Sequence, residues 1–466
     1  MAAAKPIAIV WFRRDLRLHD QPALAHALTV AERVLPLFVV DPAVVHGRWH
    51  SPNRLWHLAR SLERLDEGLR ERGASLVTVV GRPADEVPRV AAAIGASMVA
   101  ASRDLSPYGR ARDDAVRGAL RAAGVELRTG RGLLVHEPED IRREDGGSYR
   151  VFSPFHRAWQ ARELRPVVDT PGAVPMASLT VPWARPIDAA LGHPVPTADP
   201  ELLLEPGEPA ARRRLAAWAG SETLQAYASG RDRLDLEGTS RLSQDLRWGT
   251  LSPVEVMAAC DGAGTGPARF RSEIAWRDFF AHLLWHDPTL ARRSFRRELD
   301  GVAWQDDPGA AKAWTEGRTG YPVVDAAMRQ LRATGWMHNR ARMIVASFLT
   351  KHLGVDWRVG ETHFMEHLVD GDPASNTGGW QWSASVGADA QPYIRILNPT
   401  LQGIRHDPQG DYVRRWVPEL RGIDGPAVHE PLEGVYIPRV VDHGPARQRA
   451  LEAYRTPGRD GHEGGG

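Results

Sequence analysis

The 466-residue chain has a single cysteine, Cys260. An intramolecular disulfide is therefore excluded, and a reducing cytoplasm is the expected compartment. The chain has almost no net charge, +1 with histidine neutral. No global field drives it onto nucleic acid, so any such contact must come from a local basic face. No apolar run suits a transmembrane span, and the one in the opening MAAAKPIAIVWFRRD is too short for a signal peptide. No G-x-G-x-x-G follows the first strand-like run. WFRRDLRLHD stands there instead, which argues against a standard dinucleotide site in that region. No internal repeat is evident. Against these absences, 42% hydrophobic and 25% charged residues are the balance of a globular chain with a large core. The length suits two or three domains. Tryptophan is abundant: of 16, 5 precede Glu208 and 11 follow it.

The first third alternates two periods. IAIVWF (7–12), VLPLFVVD, ASLVTVVG and ASMVAAS are β-rich runs of strand length. Between them lies DQPALAHAL, where Asp20 is placed to cap a helix and Pro22 fits its first turn. NRLWHLARSLERLDEGLRERG and RARDDAVRGALRAAG have helical periodicity and end at glycine. Strands alternating with helices predict a parallel, doubly wound sheet. Residues 166–209 hold ten prolines and little periodicity, which reads as a long connector along the surface. Helical patterns then dominate, as in ARRRLAAWAGSETLQAYASG. The expected division is an α/β domain over 1–135, a connector over 136–207, an all-α domain over 208–455 and a Gly-rich disordered tail over 456–466.

Several segments of the second half suit chemistry. EGTSRLSQDLRWGTLSP (237–253) puts Thr239, Ser240 and Ser243 at a helix start. Free N–H groups and hydroxyls there suit a phosphate, and a plain Ser/Thr cap uses the same residues. SEIAWRDFF (272–280) aligns Glu273, Trp276 and Arg277 on one helical face. TGWMHNRARM (334–343) carries Asn339, Arg340, Arg342 and Met343. Aromatics interleaved with Arg and Asn suit a flat, hydrogen-bonding ligand such as a base, and equally an amphipathic helix with solvated arginines. DGDPASNTGGWQW (370–382) sets carboxylates, two glycines and two indoles together without the apolar period of a core element. In HFMEH, His363 and His367 stand four apart. The spacing is not H-E-x-x-H and no third ligand is evident, so the pair reads as structural and no metal is expected. DGAGTGPARF (261–270) follows no strand and reads as a loop between helices.

Jointly these segments resemble the cryptochrome/photolyase family, most closely class I cyclobutane pyrimidine dimer photolyases. The resemblance covers almost the whole chain. It is strongest in TGYPVVDAAMRQLRATGWMHNRARMIVASFLTKHLGVDW, HLVDGDPASNTGGWQWSAS and RILNPTLQG, with WFRRDLRLHD and GTSRLS as weaker marks. It implies an α/β N-terminal domain joined by a long connector to an all-α FAD-binding domain.

The resemblance also implies sites. FAD would be buried in the helical domain. Tyr227 and the run Thr239, Ser240, Arg241, Leu242 and Ser243 match positions that hold its phosphates and ribityl chain, and Arg277 matches a further cofactor position. Asp370, Gly371 and Asp372 match the segment at the isoalloxazine and ribityl region. Arg342 and Asp370 would form an ion pair, and Asn376 would face the reactive nitrogen of the central ring. Trp380, Trp357 and Trp304 match an electron relay between flavin and surface. The implied partner is DNA carrying a cyclobutane dimer, taken out of the helix stack. Trp276 and Trp382 would clamp the lesion's apolar faces. Glu273 and Asn339 would bond its polar edges, Met343 would pack beside it, and Arg340 and Gln402 would meet the strand. The implied reaction is light-driven electron donation from reduced FAD, ring opening and electron return, a lyase reaction by a monomer with no membrane association.

Some positions depart from the family pattern. Pro373 and Ser375 replace the more usual Leu and Ala, Thr377 stands where a second Asn is common, and Phe270 where a Trp is often found. None removes a group from the electron path, so altered cofactor packing or redox tuning is expected. A signalling cryptochrome is the main alternative. Plant-type members place Asp where this chain has Asn376, and long C-terminal extensions are common among cryptochromes. Six-four photolyases use histidines where this chain has Asn339 and Met343. An ordinary flavin oxidoreductase lacks support, since nothing resembles a nicotinamide site. For a second, light-harvesting chromophore, folate-using relatives carry Asn-Glu where SRDLSPYGRARDD has Tyr108 and Gly109. The stretch resembles instead relatives using 8-hydroxy-5-deazaflavin, with Arg54 and Asp104 as candidate contacts. PYGRARD reads equally as a plain helix start, with the pocket empty.

Overall fold

A computed structural model describes residues 6–176, 179–388 and 394–455; the tail expected over 456–466 lies outside them. Five strands form one parallel sheet: β1 (Ile7–Phe12), β2 (Arg33–Val40), β3 (Val77–Val80), β4 (Met98–Ser102) and β5 (Glu126–Gly130), in the order β3-β2-β1-β4-β5. Central β1 pairs Ile9 with Leu35 on one side and Val99 on the other. Helices α1 (Pro22–Val30), α2 (Pro52–Arg70), α3 (Pro83–Ile94) and α4 (Pro107–Ala122) cover the sheet. All six β1 residues are buried, which is why a strand covered on both faces reads as a continuous apolar run. β5 was not expected: ELRTG is an edge strand with one apolar residue, Leu127.

The cap of α1 also differs from expectation. Gln21, not Asp20, accepts from the N–H of Ala23. Asp20 has φ 49° and is fully buried. Its carboxylate accepts from Arg165 at 2.5 and 2.6 Å, from Val168 N–H at 2.9 Å and from the Ser252 hydroxyl. It ties sheet, connector and helical half together.

The connector is packed, not merely draped. Helix α5 (Phe152–Gln160) sends Phe155 and Trp159 into the core of the helical half, while Val174 joins the core beneath the sheet. Val135 N–H, His136 N–H and the Trp159 indole N–H all donate to Asp278 Oδ2, at 3.0, 3.2 and 3.0 Å.

The helical half includes α6 (Ser243–Trp248), α7 (Thr265–His286), α8 (Pro322–Thr334), α9 (Asn339–Ser347), α10 (Trp357–His367), α11 (Pro373–Ser383), α12 (Pro399–His406) and α13 (His443–Arg455), together with further helices such as Glu208–Ala219 and Pro308–Glu316. Helix α7 begins inside the segment expected to be a loop. Gly266 sits in its first turn because a Cβ there would lie 2.2 Å from the carbonyl oxygens of Leu224 and Gln225. Among the described residues no helix is long and apolar enough to cross a membrane.

Candidate active site

The chain leaves α10 at His367, passes through residues 368–371 and enters α11. Asp372 caps α11, accepting from Ser375 N–H at 2.9 Å. Pro373 follows at the first helical position, where its fixed φ and missing N–H are tolerated, so this departure from Leu suits the helix start. Asp370 Oδ2 accepts from Arg342 at 2.8 Å, and Arg342 Nε donates to Met337 O at 2.8 Å. Asp370 Oδ1 is buried without a protein partner. A Cβ on Gly371 would approach Arg54 Nη1 to 2.9 Å, and its carbonyl accepts from Arg247 Nε at 2.7 Å. Asn376 Nδ2 donates to Glu361 O at 3.0 Å. A carbonyl only accepts, so the amide nitrogen must face α10. Thr377, where a second Asn is common, donates to the Glu361 carboxylate at 3.3 Å.

The hydroxyl segment is arranged differently from expectation. Helix α6 starts at Ser243 with Leu242 as an uncapped N-cap, so Thr239 and Ser240 precede the helix and do not cap it. Ser240 Oγ accepts from Leu242 N–H at 3.3 Å. Arg241 has φ 55°, uncommon for a residue with a Cβ, and backbone outliers of this kind cluster at ligand clamps. Its guanidinium lies 3.9 Å over the Trp336 ring, and its Nε is buried without a partner. Tyr227 packs in a cage with Trp218 and Phe270, at centroid distances of 5.7 and 5.5 Å. Buried Asp370 Oδ1 and Arg241 Nε are an acceptor and a donor that burial leaves costly unless a ligand meets them. With the neighbouring hydroxyls and aromatics, they fit a large cofactor with phosphates and a flat ring.

On α7, Trp276 stacks on Phe152 of α5, with centroids 3.8 Å apart and planes at 9°. Glu273 on the same helix pairs with Arg231, and with Arg269 at 3.2 Å. Neither Phe152, Arg231 nor Trp218 was singled out by sequence, because their link to the site is tertiary. On α9, Asn339 Nδ2 lies 3.9 Å from Met343 Sδ, and Arg340 pairs with Asp232 at 2.6 Å. Arg395 lies 5.0 Å over the Trp382 ring, and Gln402 is half-buried on α12.

Trp357 and Trp380 are buried in one core cluster, and Trp304 packs partly buried against it. Trp357 opens α10, and Trp380 lies on α11, which packs against α10. A Cβ on Gly360 would lie 2.0 Å from Cη2 of Trp380, so only glycine admits the indole at this depth.

The two domains meet at a narrow cleft whose lining includes Arg14, Leu105, Leu133, Arg277 and Asp372. Arg277 donates to Leu133 O at 2.7 Å and Leu246 O at 3.2 Å. Arg14 pairs with Asp372 and lies 3.9 Å from Asp104. Burial alone would raise both carboxyls. Arg14 and Arg247 hold Asp372 below the usual carboxylate range, and Arg112 and Arg14 do the same for Asp104. Arg54, a candidate chromophore contact, is buried with its guanidinium bonded to carbonyls of Trp49, Met365 and Leu368. It ties α2 to the end of α10. Asp104 accepts from the Ser106 N–H and hydroxyl at 3.0 and 2.9 Å.

Residues 8–174 match the DNA photolyase family model, and residues 270–456 match the FAD binding domain of DNA photolyase. The deoxyribodipyrimidine photo-lyase of Agrobacterium fabrum is 41% identical over 96% of this chain and 97% of its own length. A bacterial class III photolyase structure from Agrobacterium tumefaciens superimposes with a TM-score of 0.91 at 39% identity, covering 98% of each chain. An archaeal photolyase from Sulfolobus tokodaii, described with two FAD molecules, gives 0.85 at 30% identity over 96% of this chain and 99% of its own. With both halves matched and relatives aligned end to end, the chain belongs to the photolyase/cryptochrome family.

Proposed function

We propose that the protein is a deoxyribodipyrimidine photo-lyase that uses light and FAD to split cyclobutane pyrimidine dimers in DNA. The 370–382 segment carries this reading. It offers a buried, unpartnered Asp370 oxygen to a cofactor and, on the helix that follows, a core indole at Trp380 and a half-buried one at Trp382. Reduced FAD, when bound, supplies the photo-excited electron that opens the cyclobutane ring and recovers it afterwards. The residues hold and orient. Asp370 with Arg342, Asp372 and Asn376 would grip the ring and ribityl region, and Arg241, Thr239, Ser240, Ser243 and Tyr227 the phosphates. Trp276 and Trp382 would exclude water from the lesion faces, with Asn339 and Met343 beside them. Glu273 and Arg340 already sit in ion pairs with Arg231 and Asp232. DNA binding would then exchange these pairs for a base edge and a phosphate. Monomeric action and membership of class I are the finer parts of this proposal. The test is illumination of the reduced protein with DNA carrying one defined cyclobutane dimer. Restored pyrimidines are expected, and an unchanged dimer overturns the reading.

Trp276→Ala is expected to weaken binding of damaged DNA with little effect on undamaged duplex. Stacking on a base is worth about 1–3 kcal/mol by alanine substitution, and only an extruded lesion can reach the indole. Phe152 already covers one face of Trp276, so the lesion must use the other. Equal losses on both DNAs would assign Trp276 to packing alone.

For the second chromophore, our reading is deazaflavin and not folate. A Cβ at Gly109 would lie 2.2 Å from the Asp104 carboxyl carbon, so no glutamate fits there while Asp104 keeps its place. Tyr108 donates its hydroxyl to Asp41, and PYGRARD forms the first turns of α4. Protein made in a host without deazaflavin is expected to release FAD alone. Added deazaflavin should bind and sensitise repair. Stoichiometric folate in mass spectra of the released chromophores would overturn this reading, as would a second equivalent of FAD.

A further inference from the structure

HFMEH closes α10 and lies outside the site described above. A third donor that the sequence reading missed stands inside the same motif as His363 and His367: Glu366. One nitrogen of each ring and a carboxylate oxygen of Glu366 all lie within 4.8 Å of one another. The three stand at i, i+3 and i+4, so the helical pitch puts them on one face. The two rings have centroids 4.1 Å apart. His367 Nδ1 donates to the His363 carbonyl at 2.9 Å. A carbonyl only accepts, so the proton sits on Nδ1 and the neutral ring keeps its lone pair on Nε2. Metal-ligating histidines are commonly oriented by such a bond from the other ring nitrogen. His363 stands edge-on to the Trp314 ring at 5.4 Å, and its Nε2 is buried without a hydrogen-bond partner.

We propose that His363, Glu366 and His367 bind one divalent transition-metal ion. Two imidazoles and a carboxylate are the donor set for zinc, and three protein ligands leave a fourth position for water. The charged neighbours permit this. Arg332 acts on His363 and Arg54 on Glu366; Asp370 offsets Arg54, and the Glu366 carboxylate supplies the site's own negative charge against Arg332. The ion would pin the last turn of α10. That turn is where the two domains and the 370–372 wall meet: Asn53 Nδ2 of α2 donates to His367 O at 2.9 Å, and Asp370 follows three residues later.

The test is calorimetric titration of zinc into the full-length FAD-containing protein after treatment with a chelator. One equivalent is expected to bind. His363→Ala and His367→Ala should each weaken that site by roughly tenfold or more, and Glu366→Gln less. Flavin absorbance checks that each variant is folded. The pairs His282–His286 and His352–His443 also bring imidazoles together, at 4.5 and 5.1 Å. A second probe therefore identifies the site: cobalt should give ligand-field absorption beyond the flavin bands, lost in His363→Ala/His367→Ala. Absence of stoichiometric zinc binding overturns the proposal. Equal binding by the parent and a flavin-loaded double variant does so too.

Discussion

Trp380→Phe is expected to abolish light-driven reduction of oxidised FAD while leaving repair by the chemically reduced protein near the parent rate. Trp380 is 2% exposed and shares a core cluster with Trp357, with Trp304 packed at its edge. Indole can lose an electron transiently and phenyl cannot do so as readily, so phenylalanine interrupts the relay. The change is also gentle on the fold. Phenylalanine keeps a flat apolar ring against Phe364 and Trp314, now 5.0 and 6.0 Å from the indole. Its packing cost should stay below the about 3–5 kcal/mol of truncation to alanine. Repair is spared because Trp380 lies outside the proposed lesion face, which is formed by Trp276, Asn339, Met343 and Trp382. The measurement follows flavin absorbance under illumination with an external reductant, then dimer repair after dithionite reduction. Full photoreduction in the variant would remove Trp380 from the relay. Gly360→Ala offers an independent approach to the same group. Its methyl would collide with Trp380, so it should disturb photoreduction without replacing any indole.

Four strands were legible because burial on both faces makes each a continuous apolar run. β5 was not, because none of its residues is buried: ELRTG alternates exposed and half-buried positions, with Leu127 its one apolar residue. Asp20 looked like a cap from its place before Pro22, but its carboxylate faces Arg165 and Ser252, partners that no local reading supplies. The glycines of 261–270 looked like a loop. In fact Gly266 is helical, and glycine is required by a backbone passing from residues 224–225. The proposed site shows the same division. Asp370, Asp372, Asn376, Trp380 and Trp382 lie on one contiguous segment, so a motif captures them together. Phe152 behind Trp276, Arg231 on Glu273, Gly360 beneath Trp380 and Arg14 on Asp372 come from distant segments. Their chemistry is ordinary in sequence and becomes specific only through packing.

Asp372→Asn is expected to cost about 1–3 kcal/mol of stability, between the ranges for an exposed and a buried ion pair, because the Asp372 and Arg14 side chains are 17% and 19% exposed. Three guanidinium groups converge on this carboxylate. Arg14 pairs with it directly, and Arg247 and Arg277, both half-buried, feel its charge. Asparagine can still cap α11, so this change isolates the charge. Asp372→Ala also removes the bond to Ser375 N–H and should cost about 1 kcal/mol more. The sign of the pH dependence follows from the depressed carboxyl. Its folded pKa lies below the ordinary 3.8, so its stabilisation is fully present above that value and is lost as pH falls towards the folded pKa. Asp104, also depressed and also facing Arg14, titrates in the same direction in both proteins. The gap between parent and Asp372→Asn should therefore be widest near neutrality and narrow in acid below 3.8. Denaturant unfolding of the FAD-containing proteins, followed by flavin release and tryptophan fluorescence, measures the gap at each pH. A gap under about 1 kcal/mol at neutral pH, the scale of an exposed ion pair, would show that water already screens this cluster. Asp372 would then be a helix cap and not the anion that holds three half-buried arginines at the meeting of the two domains.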